Sequence, residues 1–384
     1  MLTNVRNGKS LTFYNRKEIS DISGLQDNFS GTTGAIISDV SSHTATISNG
    51  YNAELNTYLS RLNELRIIDL QQLDLSSPNR VARSTGVKRA WMYEKADIEM
   101  GGKGSANWSA SEQTQIKENG TVYGAEGHHQ QNVADHPDQQ ANPDNIKFYK
   151  TKQQHLIEGH GGRWDNESNK PKIDKNKMLK KTNTKRLAKN ELHGLGLAMA
   201  IGAGVGLTIG FITTLAQSGV TPDSLKFAAI EGVKSSIESG MLSAVSYTAG
   251  RTVGEVATQA IAGTLQNAGL NITENILKMV NMGVVGTLTI TIFAVYQFAK
   301  LKRSGVTSRE ALMRVGKQAL FSLSLLAVSI AAQGVWGGPA GIIVSVSIGI
   351  ILISYSTISS MHQRNFSELV RVYTIEKYRP LISI

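Results

Sequence analysis

The sequence predicts an α+β protein in three parts: a mainly α-helical N-terminal arm, a small hairpin-and-helix unit rich in histidine, and a glycine-rich helical half suited to lipid. Three observations carry this. Apolar residues recur at helical spacing before Asp74, five of the eight histidines crowd between His128 and His160, and uncharged runs take over from Gly194. The mean hydropathy of −0.15 averages these dissimilar parts. The composition shifts place boundaries at 1–80 for the arm, 81–172 for the histidine-rich domain, 173–192 for a basic linker and 193–384 for a helical membrane domain with about four spans.

Charge and composition narrow the chemistry. Forty Lys and Arg against thirty Asp and Glu leave a formal charge of +10, which favours polyanionic partners. With no Cys, the chain has no disulfide, thiolate zinc site, iron–sulfur cluster or cysteine nucleophile. Any metal must be held by His, Asp, Glu or Asn. Met1 to Ile19 is polar and lacks the apolar core of a signal peptide.

In the arm, Ser38 to Asp74 is free of Pro, and Ile47, Leu55, Leu59, Leu62, Leu65 and Ile68 recur at helix-like spacing. A packing helix, a helical hairpin or a dimerisation arm fits that pattern, so a second copy of the chain is one expected partner. Residues 169–189 carry Lys170, Lys172, Lys175, Lys177, Lys180, Lys181, Lys185, Arg186 and Lys189 against only Asp174. Such a run reads as a solvated linker, or as an anchor to anionic lipid directly before an apolar segment.

The runs 194–217, 279–299, 319–333 and 338–361 carry no charge, and about 20 apolar residues suffice to cross a bilayer core. Gly334 to Pro339 splits the last two in the manner of a tight helical turn. Lys and Arg gather before Gly194, between Lys300 and Lys317 and after Met361, whereas 218–278 is sparse in them. Four spans with both termini cytoplasmic satisfy the positive-inside rule. The loop 218–278 reads as amphipathic helix. Gly202, Gly206 and Gly210 recur every fourth residue, the spacing that lets helix backbones approach closely in lipid.

The histidine-rich stretch carries the chemistry. Gly127, Pro137 and Pro143 argue for a hairpin with a long loop, and Thr151 to Gly159 for a short helix bearing His155 and His160 near one face or at its end. Adjacent His128 and His129 on a strand point to opposite sides. One can join a metal cluster with the helix histidines while the other faces a water. A metal to polarise a phosphoryl oxygen and a separate imidazole to take a proton need that split.

These residues resemble the HNH (ββα-metal) endonucleases, in the Gly-His-His branch common among bacterial nuclease-toxin domains. Arg89-Ala-Trp91-Met-Tyr-Glu94, Gly101-Gly102-Lys103-Gly104 and Asn107-Trp108-Ser109 are similar to that branch's lead-in. Gly120 to His129 is similar to its first strand, Asn142-Pro-Asp-Asn145-Ile to its central segment, and Arg163-Trp164-Asp-Asn166 follows the last histidine. The resemblance implies a ββα-metal nuclease fold, with His129 as general base and with Asn145 pinning the loop that orients it. It implies that His128, His155 and His160 hold one divalent ion. Position alone suggests Lys147 and Arg163 as phosphate contacts. Family members space the last two histidines four apart. Here they are five apart, with Gly159 inserted, so either Gly159 swings His160 back or one of the pair is not a ligand.

Mg, Mn, Zn or Ni are the candidate metals, since imidazoles suit the later ions while the family often uses Mg. Glu126 reads either as a carboxylate behind a ligand histidine or as a surface charge. DNA is the expected substrate. A metal-dependent endonuclease tethered to the bacterial inner membrane, its nuclease domain on the cytoplasmic side and directed at phage or other foreign DNA, is the leading expectation. The alternative is an interbacterial nuclease toxin with a hydrophobic translocation region, which predicts an immunity protein as partner. A non-enzymatic membrane scaffold is the third.

Overall fold

The computed structural model describes residues 30–218, 221–336, 347, 362 and 366–374. They fall into two compact units, Thr46–Leu192 and the described residues on either side of it.

The Thr46–Leu192 unit contains the later part of helix α1 (Ser30–Gln71), followed by α2 (Arg80–Glu99) and α3 (Ala110–Asn119). Asn79 starts α2 by accepting the Val81 and Ala82 N–H groups, which have no partner within the first turn. A reciprocal Ser109–Glu112 capping box starts α3. Strands β1 (Glu126–His129) and β2 (Ile146–Tyr149) pair antiparallel, Glu126 opposite Tyr149, His128 opposite Lys147 and His129 opposite Ile146. Pro137 and Pro143 each open a single 3-10 turn in the connecting loop. Helix α4 (Lys152–Gln154) continues as a π-helical turn, His155–Gly159. The expected hairpin with a long loop and short helix is therefore the observed β-β-α order.

Strand alternation sends Ile146 and Phe148 into a core with Ala90, Trp91, Ile98, Trp108, Ile116 and Val122. The Phe148 and Trp91 ring centroids stand 3.9 Å apart. The tryptophans of the lead-in motifs are thus the floor beneath the hairpin. A second cluster uses the arm's apolar stripe within the chain itself: Leu55 and Leu62 pack with Tyr93, Ala96, Met100 and Leu179.

Leu179 lies in α5 (Lys175–Ser218), and here the structure departs from a solvated linker. Lys175 and Leu179 have no exposed surface. Lys175 Nζ meets Glu94 Oε1 at 2.8 Å, and Glu94 also accepts Ser105 N–H, Ser105 Oγ–H and Trp108 Nε1–H. Burial alone would push the Glu94 carboxyl up. The Lys175 charge and these donors more than reverse it and hold the group below the ordinary glutamate range. Asn183 bonds Asn52, and Arg186 pairs with Glu54. The basic segment is a helix docked on α1 and α2, anchored by a partner that sequence spacing does not reveal.

The second unit holds the start of α1, the end of α5, α6 (Pro222–Ala249), a π turn (Gly250–Gly254), α7 (Glu255–Asn267), α8 (Glu274–Arg303) and α9 (Ser308–Trp336). The glycine stripe has its expected use. A Cβ at Gly202, Gly206 or Gly210 would stand 2.0 Å from Ser243 Oγ, 2.4 Å from the Ser235 carbonyl or 2.9 Å from the Glu231 carbonyl. Those partners run backwards along α6, so the amphipathic segment after 218 supplies a helix lying antiparallel on α5. The start of α1 buries Ile37 and Val40 beside Ala198, Tyr247 and Val285. Asn281 Nδ2 donates to Ser38 and Ser42. Three helical stretches, Lys175–Ile212, Glu274–Arg303 and Ser308–Val335, are long and apolar enough to cross a membrane. They take in the first expected span as far as Ile212 and the whole of the second and third, while the fourth, 338–361, lies outside the described residues apart from residue 347.

Candidate metal centre

The two-residue period of β1 sorts its side chains. Glu126 and His128 share one face with Lys147 and Tyr149, while Gly127 and His129 share the other with Ile146 and Phe148. The first face meets the helix histidines. His128, His155 and His160 each offer a ring nitrogen, and these atoms all lie within 4.8 Å of one another.

The π turn resolves the five-residue spacing. Its hydrogen bonds run five residues back, so the His160 N–H reaches the His155 carbonyl and residues 155 and 160 stack one turn apart. Gly159 makes room for this. A Cβ there would stand 2.8 Å from His155 Cδ2, 3.3 Å from His128 Nδ1 and 3.3 Å from Tyr149 Cε2. Lys170 Nζ fixes the turn by donating to the Glu158 and Gly159 carbonyls at 2.6 and 3.1 Å. Its backbone N–H donates to Gln130 beside β1.

The donor set fits a divalent ion. His155 Nδ1–H donates to Glu126 Oε2 at 2.6 Å, which leaves the Nε2 lone pair facing His128 Nδ1 at 3.0 Å. Glu126 is therefore the carboxylate behind a candidate ligand, an arrangement that fixes tautomer and ring orientation. His128 is 4% exposed and its buried Nε2 has no hydrogen-bond partner among the described residues. Burial first, then the neighbouring His155, His160, Lys170 and His129, pull its pKa down to about 3, so the ring is neutral at neutral pH and one of its nitrogens keeps a lone pair. Tyr149 stacks on His155 at 5.5 Å, and Trp164 meets His155 and His160 at 5.3 and 5.2 Å between centroids.

His129 stands outside this triad. Its Nε2–H donates to the Gln140 carbonyl at 2.9 Å, which leaves Nδ1 as the basic nitrogen. Burial lowers its pKa, the Gln140 bond opposes that, and Arg83 adds to the lowering. Several groups fix the Gln140 carbonyl. The fully buried Gln140 side chain donates to Ser77 O and accepts Asn79 N–H, and Arg89 donates to the next carbonyl, Ala141 O. Asn145, also with no exposed surface, accepts Gln131 N–H and donates to the Gln131 and Gln139 carbonyls. It thus bridges the loop on the residue before Gln140.

Of the two expected phosphate contacts, the structure brings one to the triad face. Lys147 Nζ lies 4.7 Å from the Tyr149 ring centroid. Arg163 is 74% exposed along its side chain and forms a two-point ion pair with Asp165. Sequence reading missed Gln140, Lys170 and the stacking role of Tyr149. Gln140 acts on His129 through a backbone carbonyl that any residue type supplies, so no signal marks it.

Residues 79–150 match the family model of the GHH-signature-containing HNH/Endo VII superfamily nuclease toxins. The matched stretch runs from the cap of α2 past the end of β2, and His155 and His160 follow it. The segment is thus similar to the nuclease branch that its motifs resemble, which supports nuclease activity. No curated protein and no solved structure matches the chain.

Proposed function

We propose, from the similarity of residues 79–150 to GHH-type nuclease toxins, that this protein is a divalent-metal-dependent endonuclease that hydrolyses DNA phosphodiester bonds. One observation carries the reading: β1 places His128 in a three-imidazole cluster and the next residue, His129, on the opposite face with one nitrogen basic. His128, His155 and His160 would hold a divalent ion, which would supply Lewis-acid polarisation of the scissile phosphate and charge stabilisation for the leaving 3′ oxygen. His129 Nδ1 takes the proton of the attacking water. The Gln140 carbonyl, held by Asn145 and Arg89, keeps that ring from turning. Lys147 offers its charge to a phosphate beside the triad.

The test is plasmid cleavage by the full chain with added Mg, Mn, Zn or Ni and with chelator. Cleavage that requires metal and vanishes in His129→Ala supports the reading. A folded protein that binds metal yet never cuts DNA overturns it.

The apolar unit works at a bilayer. Ile230, Val233, Ile237 and Met241 on α6 and Leu320 and Phe321 on α9 are exposed, a surface that water does not favour. The basic residues flanking the apolar helices favour the inner membrane, with the nuclease unit on the cytoplasmic side. Two deployments remain, defence against incoming DNA and a nuclease toxin of interbacterial competition. The match to nuclease toxins favours the second. Co-expression with the neighbouring reading frame decides between them: rescue of a poisoned host identifies an immunity partner and a toxin, and no poisoning or rescue favours defence.

A further inference from the structure

Helix α5 is docked by one face, and the opposite face is a stripe of lysines. Lys175, Leu179 and Asn183 are buried against the rest of their unit. Two residues out of phase, Lys177, Lys181, Lys185 and Lys189 recur every fourth residue, with Lys180 beside them, and all five are exposed. None pairs with a carboxylate among the described residues, although several other surface lysines of the chain do. Like charges four apart on a helix repel one another. Folding alone gives no return for such a row.

We propose that this stripe is a binding track for the phosphate backbone of the nucleic-acid substrate. The inference rests on the nuclease reading above and deepens it. From Lys177 to Lys189 the helix rises about 18 Å, a length that spans roughly five phosphates of one strand of a duplex. The helix that carries the track is also tied at its start to the loop that braces His129. Lys175 N–H donates to Asp144 Oδ1 at 3.0 Å and Ile173 N–H to the Asp144 carbonyl at 2.7 Å. The next residue, Asn145, braces the loop that holds His129. The row of cations therefore stands on a helix held fast to the loop behind the candidate site.

Anionic lipid is the competing polyanion, and distance argues against it. The apolar run begins at Gly194, so Lys181 and Lys177 precede it by about 20 and 25 Å of helical rise. A charged surface is screened within about 8–10 Å at physiological salt. Lipid engages the Lys189 end, whereas nucleic acid engages the whole row.

The experiment compares the full chain in detergent with the variant Lys177→Gln/Lys181→Gln/Lys185→Gln/Lys189→Gln, both carrying His129→Ala and held in chelator. Gln keeps helix propensity and removes the repulsion, so the variant should melt no lower than its parent. Binding of a fluorescein-labelled duplex of about 20 base pairs is followed by anisotropy between about 50 and 200 mM salt. The slope of log affinity against log salt should fall by about 3 to 4, so that the parent's excess affinity shrinks about a hundredfold across that range. An unchanged slope and affinity overturn the proposal. Loss of flotation with phosphatidylglycerol vesicles but not phosphatidylcholine vesicles, with duplex binding intact, overturns it in favour of lipid. Metal-dependent plasmid cleavage by the chain with His129 restored separates the two readings. Cleavage with no effect of the four substitutions on duplex binding removes the track alone, and absence of both binding and cleavage removes the nuclease reading as well.

Discussion

Gly159 lies so close to His155 that a single added carbon would stand 2.8 Å from the imidazole Cδ2. Its backbone is π-helical with no positive φ, so the space, rather than the dihedral, demands glycine. Gly159→Ala should therefore disturb the triad and little else. Metal affinity by calorimetry is expected to fall on the order of 10- to 100-fold, the scale of a disturbed ligand shell. Unchanged affinity would mean that His155 and His160 do not share an ion.

Glu126→Ala should weaken metal binding by a similar factor, about 10- to 100-fold. It removes the acceptor that holds His155 Nδ1–H at 2.6 Å and leaves the ring free to turn or change tautomer. Glu126→Gln keeps an amide oxygen that accepts the same proton, so its loss should be smaller. Equal losses in the two variants would point to charge rather than orientation. Cobalt absorption, which follows the ligand field, reads this apart from cleavage.

How much of this was legible in the sequence depended on where the information sits. His128, His155 and His160 stood out because imidazoles crowded among turn residues have few other uses, and Gly202, Gly206 and Gly210 because their spacing alone implies a close helix. Alternation alone separated His128 from His129. The π turn was hidden, since five-residue spacing also describes a histidine thrown off the helix. Gln140 was hidden because its contribution to His129 is a carbonyl. Lys175 looked like one more solvated charge, and its partner Glu94 lies 81 residues earlier.

Asn145→Ala should separate loop order from metal binding. The side chain accepts Gln131 N–H and donates to two carbonyls, all within one loop. Its removal leaves the half-buried Gln131 N–H and carbonyl without that partner, at a cost of about 1–3 kcal/mol each where water does not enter, while the Gln139 carbonyl keeps the Asn142 N–H. Melting should fall accordingly and cleavage should drop as the Gln140 carbonyl loses its brace, while metal affinity stays near that of the parent. A large loss of metal would place Asn145 in the triad's own support.

Lys175 and Glu94 make the final prediction, on stability and pH. Both side chains have no exposed surface and meet at 2.8 Å. Replacing one leaves the other buried without its counter-charge, so Glu94→Gln and Lys175→Met should each destabilise the unit by about 3–5 kcal/mol near pH 7. The double variant Glu94→Gln/Lys175→Met should recover much of that loss, because it removes both desolvation costs. Acid adds a sign. The folded pKa of Glu94 is held below its ordinary value of 4.5, so its stabilisation is full above that value and fades as pH falls through the folded one. The gap in melting temperature between the parent and Glu94→Gln should then be constant from neutral pH down to about 5 and narrow below about 4.5. A gap that stays constant to lower pH would show that folding does not shift the Glu94 carboxyl, so that its charge adds no net stability.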